Sequence, residues 1–122
     1  MTLGIVMVSH VPEVVIGIER LLREVAKDVS ITTAGGTEEL EIGTSFEKIL
    51  EAFETNEGDH ILAFYDLGSA KMNLELAMEM TDKQVTLYDT ALVESSYTAA
   101  ALIQAGATIE AIEDQLAPLV VK

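Results

Sequence analysis

Four short runs rich in apolar and β-branched residues alternate with stretches of helical spacing, and this alternation restricts the possible folds more than any other feature. The runs are Leu3–Val8, Val29–Thr33, His60–Tyr65 and Gln84–Tyr88. The first is continuous, which is typical of a strand buried on both faces. Strands that are each followed by a helix pair in parallel, because a crossover helix connects parallel neighbours compactly. The chain is therefore predicted to have an α/β fold with a mainly parallel sheet.

Helix-start signals follow the first two runs. Pro12 fits the first turn of a helix, and Val15, Ile18 and Leu22 have the spacing of its buried face. Thr44–Glu47 has the spacing of a capping box, which predicts a second helix from there to about Thr55. Three more helices are predicted: one through Met72, Leu76 and Met80, one over Val93–Gln104 and one over Thr108–Leu119. In the first of these, Met72, Met78 and Met80 are expected to pack inside.

Right-handed crossovers favour an open, doubly wound sheet with helices on both faces. The predicted strand order is 2-1-3-4, a truncated flavodoxin-like order, in which strands 1 and 3 are neighbours and form the switch point. With 122 residues the chain suits one domain, residues 1–122, because two domains would each bury too little surface. Chemistry in such folds is expected at the carboxyl ends of the strands.

Charge and composition exclude several classes of function. The chain has 7 Lys and Arg against 21 Asp and Glu, which gives a net charge of −14. This charge would repel nucleic acid and anionic membranes, and it favours protein partners with basic patches. It has no cysteine, which excludes disulfides and thiolate chemistry, and two histidines are too few for a His-rich metal centre. No leader-like segment and no apolar run near the roughly 20 residues of a bilayer span is found. A soluble, cytoplasmic protein without a bound metal is predicted.

Reactive side chains follow the predicted strands. The strand exits carry Ser9 and His10, then Gly35 and Gly36 with a loop to Thr44 and Ser45, then Asp66–Ser69, then Asp89 and Thr90. In the predicted order His10 and Asp66 face each other, and a carboxylate that accepts one ring N–H leaves the other nitrogen free as a nucleophile. Glycines and hydroxyls nearby can donate to a phosphoryl group. His60 opens the third strand and is predicted to be a strand-edge residue without a chemical role.

Each of these residues also has an ordinary structural interpretation, and other folds compete. Asp66 can cap the next helix, and Gly35-Gly36 can be a simple turn without a nucleotide-binding motif. A response-regulator receiver would use Asp66 as its phosphorylated residue, but it needs an acidic pair where Val8–His10 stands and a fifth strand ending in Lys. A flavin module is disfavoured because the chain has no Trp and only 5% aromatic residues.

Three segments together resemble a known family. They are Val6–His10, Ala34–Gly36 with Ile42–Ser45, and Tyr65–Ala70. Together they resemble the DhaM family, the phosphocarrier subunits of phosphoenolpyruvate-dependent dihydroxyacetone kinases. Their domain is similar to the mannose-type IIA domain of the sugar phosphotransferase system, and the resemblance spans nearly the whole chain. It implies a phosphotransferase, a phosphoenolpyruvate–glycerone phosphotransferase subunit of glycerol metabolism. It also implies site residues: His10 as the phosphorylated histidine, Asp66 as its supporting acid, and Ser9, Gly36, Thr44 and Ser69 in the phosphoryl-binding loops.

The resemblance also implies partners. The chain is expected to accept a phosphoryl group from phospho-HPr and to pass it to ADP on the nucleotide-binding subunit of dihydroxyacetone kinase. The nucleotide is then held by that partner, and this chain is expected to bind no cofactor. Because the sequence ends at Lys122, HPr and enzyme I are expected as separate proteins. A homodimer is also implied. The alternative is a mannose-type sugar-transport IIA domain that passes its phosphoryl group to a IIB protein; a purely structural interaction domain would leave His10 and Asp66 without a role.

Overall fold

The computed structural model of the protein describes residues 2–122. The elements are, in chain order, β1 (Leu3–Ser9), α1 (Pro12–Arg23), β2 (Ser30–Gly35), α2 (Phe46–Thr55), β3 (His60–Tyr65), α3 (Lys71–Met80), β4 (Gln84–Tyr88), α4 (Leu92–Gln104) and α5 (Ile109–Leu116), with short 3₁₀ turns at Gly68–Ala70 and Ala117–Leu119. The predicted last helix thus ends earlier, at Leu116, and Pro118, which has no amide hydrogen, lies in the following 3₁₀ turn.

The four strands form one parallel sheet in the order β2-β1-β3-β4, which confirms the predicted fold class. At its centre Met7 of β1 pairs with Thr33 of β2 and with Phe64 of β3. Every residue of β3 is buried. The central strands are therefore covered on both faces, which explains why their sequences read as continuous apolar runs.

Successive side chains of the central strands enter two different cores. Ile5 and Met7 pack with the buried faces of α1, α4 and α5, whereas Val6 and Val8 pack with those of α2 and α3. The helices therefore lie on both faces of the sheet, as the doubly wound arrangement requires. Within residues 2–122, no helix combines the length and the apolar character that crossing a membrane requires.

Two sequence-based details are wrong. The cap of α2 is Ser45, whose hydroxyl accepts the Lys48 N–H at 3.2 Å, so the helix begins one residue later than the capping-box pattern predicted. In α3, Met72 and Met80 are 74% and 65% exposed and do not pack inside; Met78 is only partly buried. The buried face of this helix is formed by small and branched residues at a spacing of three, which leaves the methionines on its outer side.

Candidate active site

The carboxyl ends of β1 and β3 meet at the middle of the sheet. Val8 pairs with Tyr65, and the Asp66 N–H donates to the Val8 carbonyl oxygen at 3.2 Å. The next residue of each strand is thereby brought to the same place, and the His10 N–H donates to Asp66 Oδ2 at 3.0 Å. The adjacency of β1 and β3 thus produces the pairing of His10 with Asp66 that the sequence predicted.

The imidazole of His10 is held from both ring nitrogens. Its Nδ1 lies 2.9 Å from Asp66 Oδ1, and its Nε2 lies 2.7 Å from Ser69 Oγ. Because an ionised carboxylate only accepts hydrogen bonds, Nδ1 carries a ring hydrogen, and in the neutral imidazole Nε2 then keeps its lone pair and accepts from the Ser69 hydroxyl. The His10 side chain is 15% exposed, and the contact between its Nε2 and Ser69 lies on the exposed side, where a nucleophile can be reached.

Asp66 is a partly buried carboxylate that accepts several hydrogen bonds from the protein. It accepts from the Ser9 hydroxyl at 2.8 Å and from the Leu67 N–H at 2.7 Å, in addition to the backbone and the ring of His10. Burial by itself raises the pKa of Asp66, but these four hydrogen bonds outweigh it and hold the pKa below its usual value. Asp66 is therefore an anion at neutral pH.

Ser9 holds the carboxylate and does not face the open site. Its side chain has no exposed surface, donates to Asp66 Oδ2, and accepts the Val11 N–H at 3.0 Å. A hydroxyl occupied in this way joins the β1–α1 turn to Asp66. The structure therefore places Ser9 behind the carboxylate, and not among the loop hydroxyls that surround His10.

The loop after β2 wraps around His10. The Gly36 N–H donates to the Ser9 carbonyl oxygen at 3.0 Å, and the Gly43 N–H donates to that of His10 at 2.9 Å. Gly36 has a φ of +73°, and a Cβ there would lie 2.8 Å from the Glu41 carbonyl oxygen, so a glycine is needed. Because its N–H is already bonded, Gly36 shapes the loop, whereas Gly43 brings the next residue, Thr44, to the site.

The side chain of Thr44 is oriented by a residue that sequence reasoning missed. Asn73 in the first turn of α3 donates its Nδ2 hydrogen to Thr44 Oγ1 at 2.8 Å. A hydroxyl that accepts at one lone pair keeps its own hydrogen for another acceptor. The contact joins residues 29 positions apart, and no local pattern indicates it.

A second polar cluster lies beside the site at the ends of β3 and β4; the sequence predicted Asp89 at this edge but not its partners Tyr65 and Lys71. The Tyr65 hydroxyl donates to Asp89 Oδ1 at 2.7 Å, and Lys71 Nζ lies 3.2 Å from Asp89 Oδ2. The hydrogen bond from Tyr65 and the charge of Lys71 outweigh burial and lower the pKa of Asp89. Burial, together with Asp89, raises the pKa of Tyr65 to about 12. Both groups keep their ordinary charge states at neutral pH.

The second histidine lies at the opposite edge of the sheet. His60 is the first residue of β3, is 4% exposed, and has its Nε2 2.8 Å from Thr86 Oγ1. It is a buried residue of the sheet itself, at the amino end of β3, and does not lie near His10. Across residues 2–122, no three side chains among His, Asp and Glu converge as a metal site would require.

The sequence matches one family model over most of its length. The model is that of the PTS system fructose IIA component, and it matches residues 4–113. A solved structure gives the same architecture: the crystal structure of a protein of unknown function superposes with a TM-score of 0.86 at 25% identity, covering 100% of this chain and 98% of the other.

Curated relatives share almost the whole chain. The phosphotransferase subunit DhaM of the PTS-dependent dihydroxyacetone kinase from Lactococcus lactis subsp. lactis is 54% identical over 122 residues, which are 100% of this chain and 99% of the relative. The phosphoryl donor subunit DhaM of PEP-dependent dihydroxyacetone kinase 1 from Listeria innocua is 44% identical over 119 residues, 98% of this chain and 96% of the relative.

Proposed function

Because the chain belongs to the family of PTS fructose- and mannose-type IIA components, and within it to the DhaM subunits, we propose that it carries a phosphoryl group on His10. Its relatives are named as subunits of dihydroxyacetone kinases. The chain is accordingly a phosphoryl carrier of a phosphotransferase system and is not itself the catalytic unit of the kinase.

One observation carries the proposal: the His10 ring is fixed between Asp66 and Ser69 with Nε2 outward. In the proposed step the lone pair of Nε2 attacks phosphorus, while the N–P bond of the donor phosphohistidine breaks and its electron pair returns to the donor nitrogen. The ring of His10, which keeps its hydrogen on Nδ1, then bears positive charge, and Asp66 stabilises that charge. The Ser69 hydroxyl turns from Nε2 to a phosphoryl oxygen.

The proposed donor is phospho-HPr, and the proposed acceptor is ADP held by the nucleotide-binding subunit of dihydroxyacetone kinase. A terminal ADP oxygen forms the new P–O bond as the bond to Nε2 breaks, which gives ATP and restores the neutral ring. A net charge of −14 favours docking to basic partner surfaces. The single domain of residues 1–122 and the cytoplasmic location stay predictions.

The acceptor is tested by reconstitution. The chain is charged with labelled phosphoenolpyruvate, enzyme I and HPr, separated, and offered either the ADP-loaded kinase subunit or a mannose-type IIB protein. We expect labelled ATP to form with the kinase subunit, and no labelled ATP when free ADP is offered without that subunit. Efficient transfer to the IIB protein, with none to kinase-bound ADP, would support the sugar-transport alternative.

A homodimer is proposed from the resemblance alone. The apolar segment Ala99–Ile103 of α4 does not supply a dimer surface, because Ala99 and Ala100 are fully buried and Leu102 and Ile103 pack against the core. Light scattering at micromolar concentration is expected to give about twice the chain mass of 13.2 kDa. A mass equal to that of one chain would contradict the dimer.

A further inference from the structure

The few basic residues are divided between the two edges of the sheet. The chain has 7 Lys and Arg against 21 acids. Four of them lie at the edge away from His10. Arg20 and Arg23 are in the last turn of α1, Lys27 follows that helix, and Lys83 directly precedes β4. Lys48, Lys71 and Lys122 lie at the edge that carries His10. An acidic protein therefore keeps three of its cations at this edge.

Two of these lysines occupy positions that a helix disfavours. Lys48 is in the first turn of α2 and Lys71 is the first residue of α3, where the helix dipole is positive and repels a cation. The Lys48 ammonium is committed to the loop carbonyls of Gly35 and Thr37. The Lys71 ammonium pairs with Asp89 on the β4 side and is 40% exposed. Helix stability alone does not account for a lysine at position 71.

Lys122 is brought to the same side by the segment that ends the described chain. Its backbone N–H and that of Val121 donate to the Asp89 carbonyl oxygen, and its Nζ donates to the Thr90 carbonyl oxygen at 2.7 Å. The ammonium lies 4.6 Å from the centre of the Tyr65 ring. Tyr65 is the last residue of β3 and directly precedes Asp66. Burial lowers the pKa of Lys122, and attraction to Asp66 and Asp89 opposes that shift.

Phosphorylation of His10 would add negative charge to a part of the site that already holds two carboxylates and two ammoniums. The carboxylates Asp66 and Asp89 are matched by the ammoniums of Lys71 and Lys122, whereas a phosphoryl group on His10 adds up to about two negative charges, offset in part by the ring. Ser69, which reaches Nε2, stands two residues before Lys71. Each lysine therefore lies next to a residue that adjoins or holds His10: Lys71 is close in sequence to Ser69, and Lys122 lies over the ring of Tyr65, which precedes Asp66.

We propose that Lys71 and Lys122 form a cationic pair that stabilises the phosphorylated state of His10, with Lys122 also holding the Tyr65–Asp66 end of β3. The pair acts by electrostatic attraction to the phosphoryl group and by holding the end of β3 in place. Neither lysine attacks phosphorus. This inference rests on the proposed function, because it assigns residues to the charged state that phosphoryl transfer produces at His10.

The test measures the equilibrium of phosphoryl transfer between phospho-HPr and the full chain. Lys122→Gln is expected to lower the equilibrium ratio of phosphorylated to free chain by about 5- to 10-fold, as expected for one charge near a protein surface. Lys122→Arg keeps the charge and is expected to restore the ratio. Lys27→Gln is the matched control, because it removes one exposed positive charge at the other edge and is expected to leave the ratio unchanged.

A second donor separates the pair from partner docking. Phosphoramidate is a small phosphoryl donor without a protein surface, and the initial rate of His10 labelling from it is expected to fall similarly in Lys122→Gln. A slower labelling by phospho-HPr, with an unchanged equilibrium ratio and an unchanged rate from phosphoramidate, would show a docking residue and overturn the proposal. Equal ratios for Lys122→Gln and Lys27→Gln, or no rescue by Lys122→Arg, would overturn it as well. Failure of the unsubstituted chain to be labelled would instead refute the proposed function.

Discussion

His10→Ala is expected to remain folded and to take up no phosphoryl group from phospho-HPr. The side chain lies at the end of β1, outside both cores, and its removal deletes the only imidazole that the structure places between Asp66 and Ser69 within residues 2–122. The measurement is labelling with phosphoenolpyruvate, enzyme I and HPr, with circular dichroism to verify the fold. A P–N bond predicts a label that is labile in acid and stable in base.

His60→Ala is the control, and the structure changes what it is expected to do. Its labelling should equal that of the unsubstituted chain, because His60 lies at the opposite edge of the sheet. Its stability should fall, since His60 is buried and bonded to Thr86, whereas its position in the sequence alone indicated a dispensable strand edge. Label that persists in His10→Ala, or disappears in His60→Ala, would identify His60 as the carrier.

The bond to phosphorus is expected at Nε2. Asp66 occupies Nδ1, and only the hydroxyl of Ser69 stands at the other nitrogen. Nitrogen-15 NMR of the labelled ring distinguishes the two phosphoisomers. A phosphoryl group at Nδ1 would require the contact with Asp66 to break, and would contradict the role given to that carboxylate.

The sheet and the contact between His10 and Asp66 could be predicted because they depend on local signals and general topology. The bounds of β3 and β4 equal the predicted ones, since each is a short run between turn residues. Once the order places β1 beside β3, the residues after Val8 and Tyr65 must meet, whatever their side-chain contacts. The pairing of His10 with Asp66 follows from that order.

What could not be predicted depends on contacts between distant residues or on the choice of a helix face. α3 has apolar residues on both sides, so spacing alone did not show that Leu74 and Ala77 face the core and Met72 does not. Similarly, Thr44 and Ser45 both suit a helix cap, and only the packed structure selects Ser45 and leaves Thr44 to Asn73. Ser9 was predicted among the loop hydroxyls because no local pattern indicates its hydrogen bond to Asp66, which is 57 positions away.

Asp66→Ala is expected to lose about 10²- to 10⁴-fold in the rate of phosphoryl uptake, the range typical of groups that assist proton transfer or position its partner. The substitution removes the acceptor of the His10 Nδ1 hydrogen, so the ring loses its fixed tautomer and the anion that stabilises the charged ring. Asp66→Asn is the matched variant. Its amide oxygen still accepts from Nδ1 without supplying a charge, and an intermediate loss is expected.

Asp66 also contributes to folding, which its place at a strand end did not indicate. In Asp66→Ala the buried Ser9 hydroxyl and the His10 N–H lose their acceptor, at a cost of about 1–3 kcal/mol for each unsatisfied group. Since domains have about 5–15 kcal/mol of stability, the variant is expected to fold at 25 °C with a lower denaturation midpoint. An unchanged midpoint would show that water replaces the carboxylate.

The pH dependence of stability separates the charge of Asp66 from its shape. Folding lowers the pKa of Asp66, so its ionised form stabilises the native state above the unfolded pKa of about 3.9, and this contribution is lost as pH falls through the folded value. The unsubstituted chain should therefore lose stability below about pH 4 more steeply than Asp66→Asn, which cannot titrate there. Urea denaturation at several pH values measures both slopes. Equal slopes would mean that the hydrogen bonds from Ser9, His10 and Leu67 do not favour the ionised carboxylate, and the structural basis for its action on His10 would be lost.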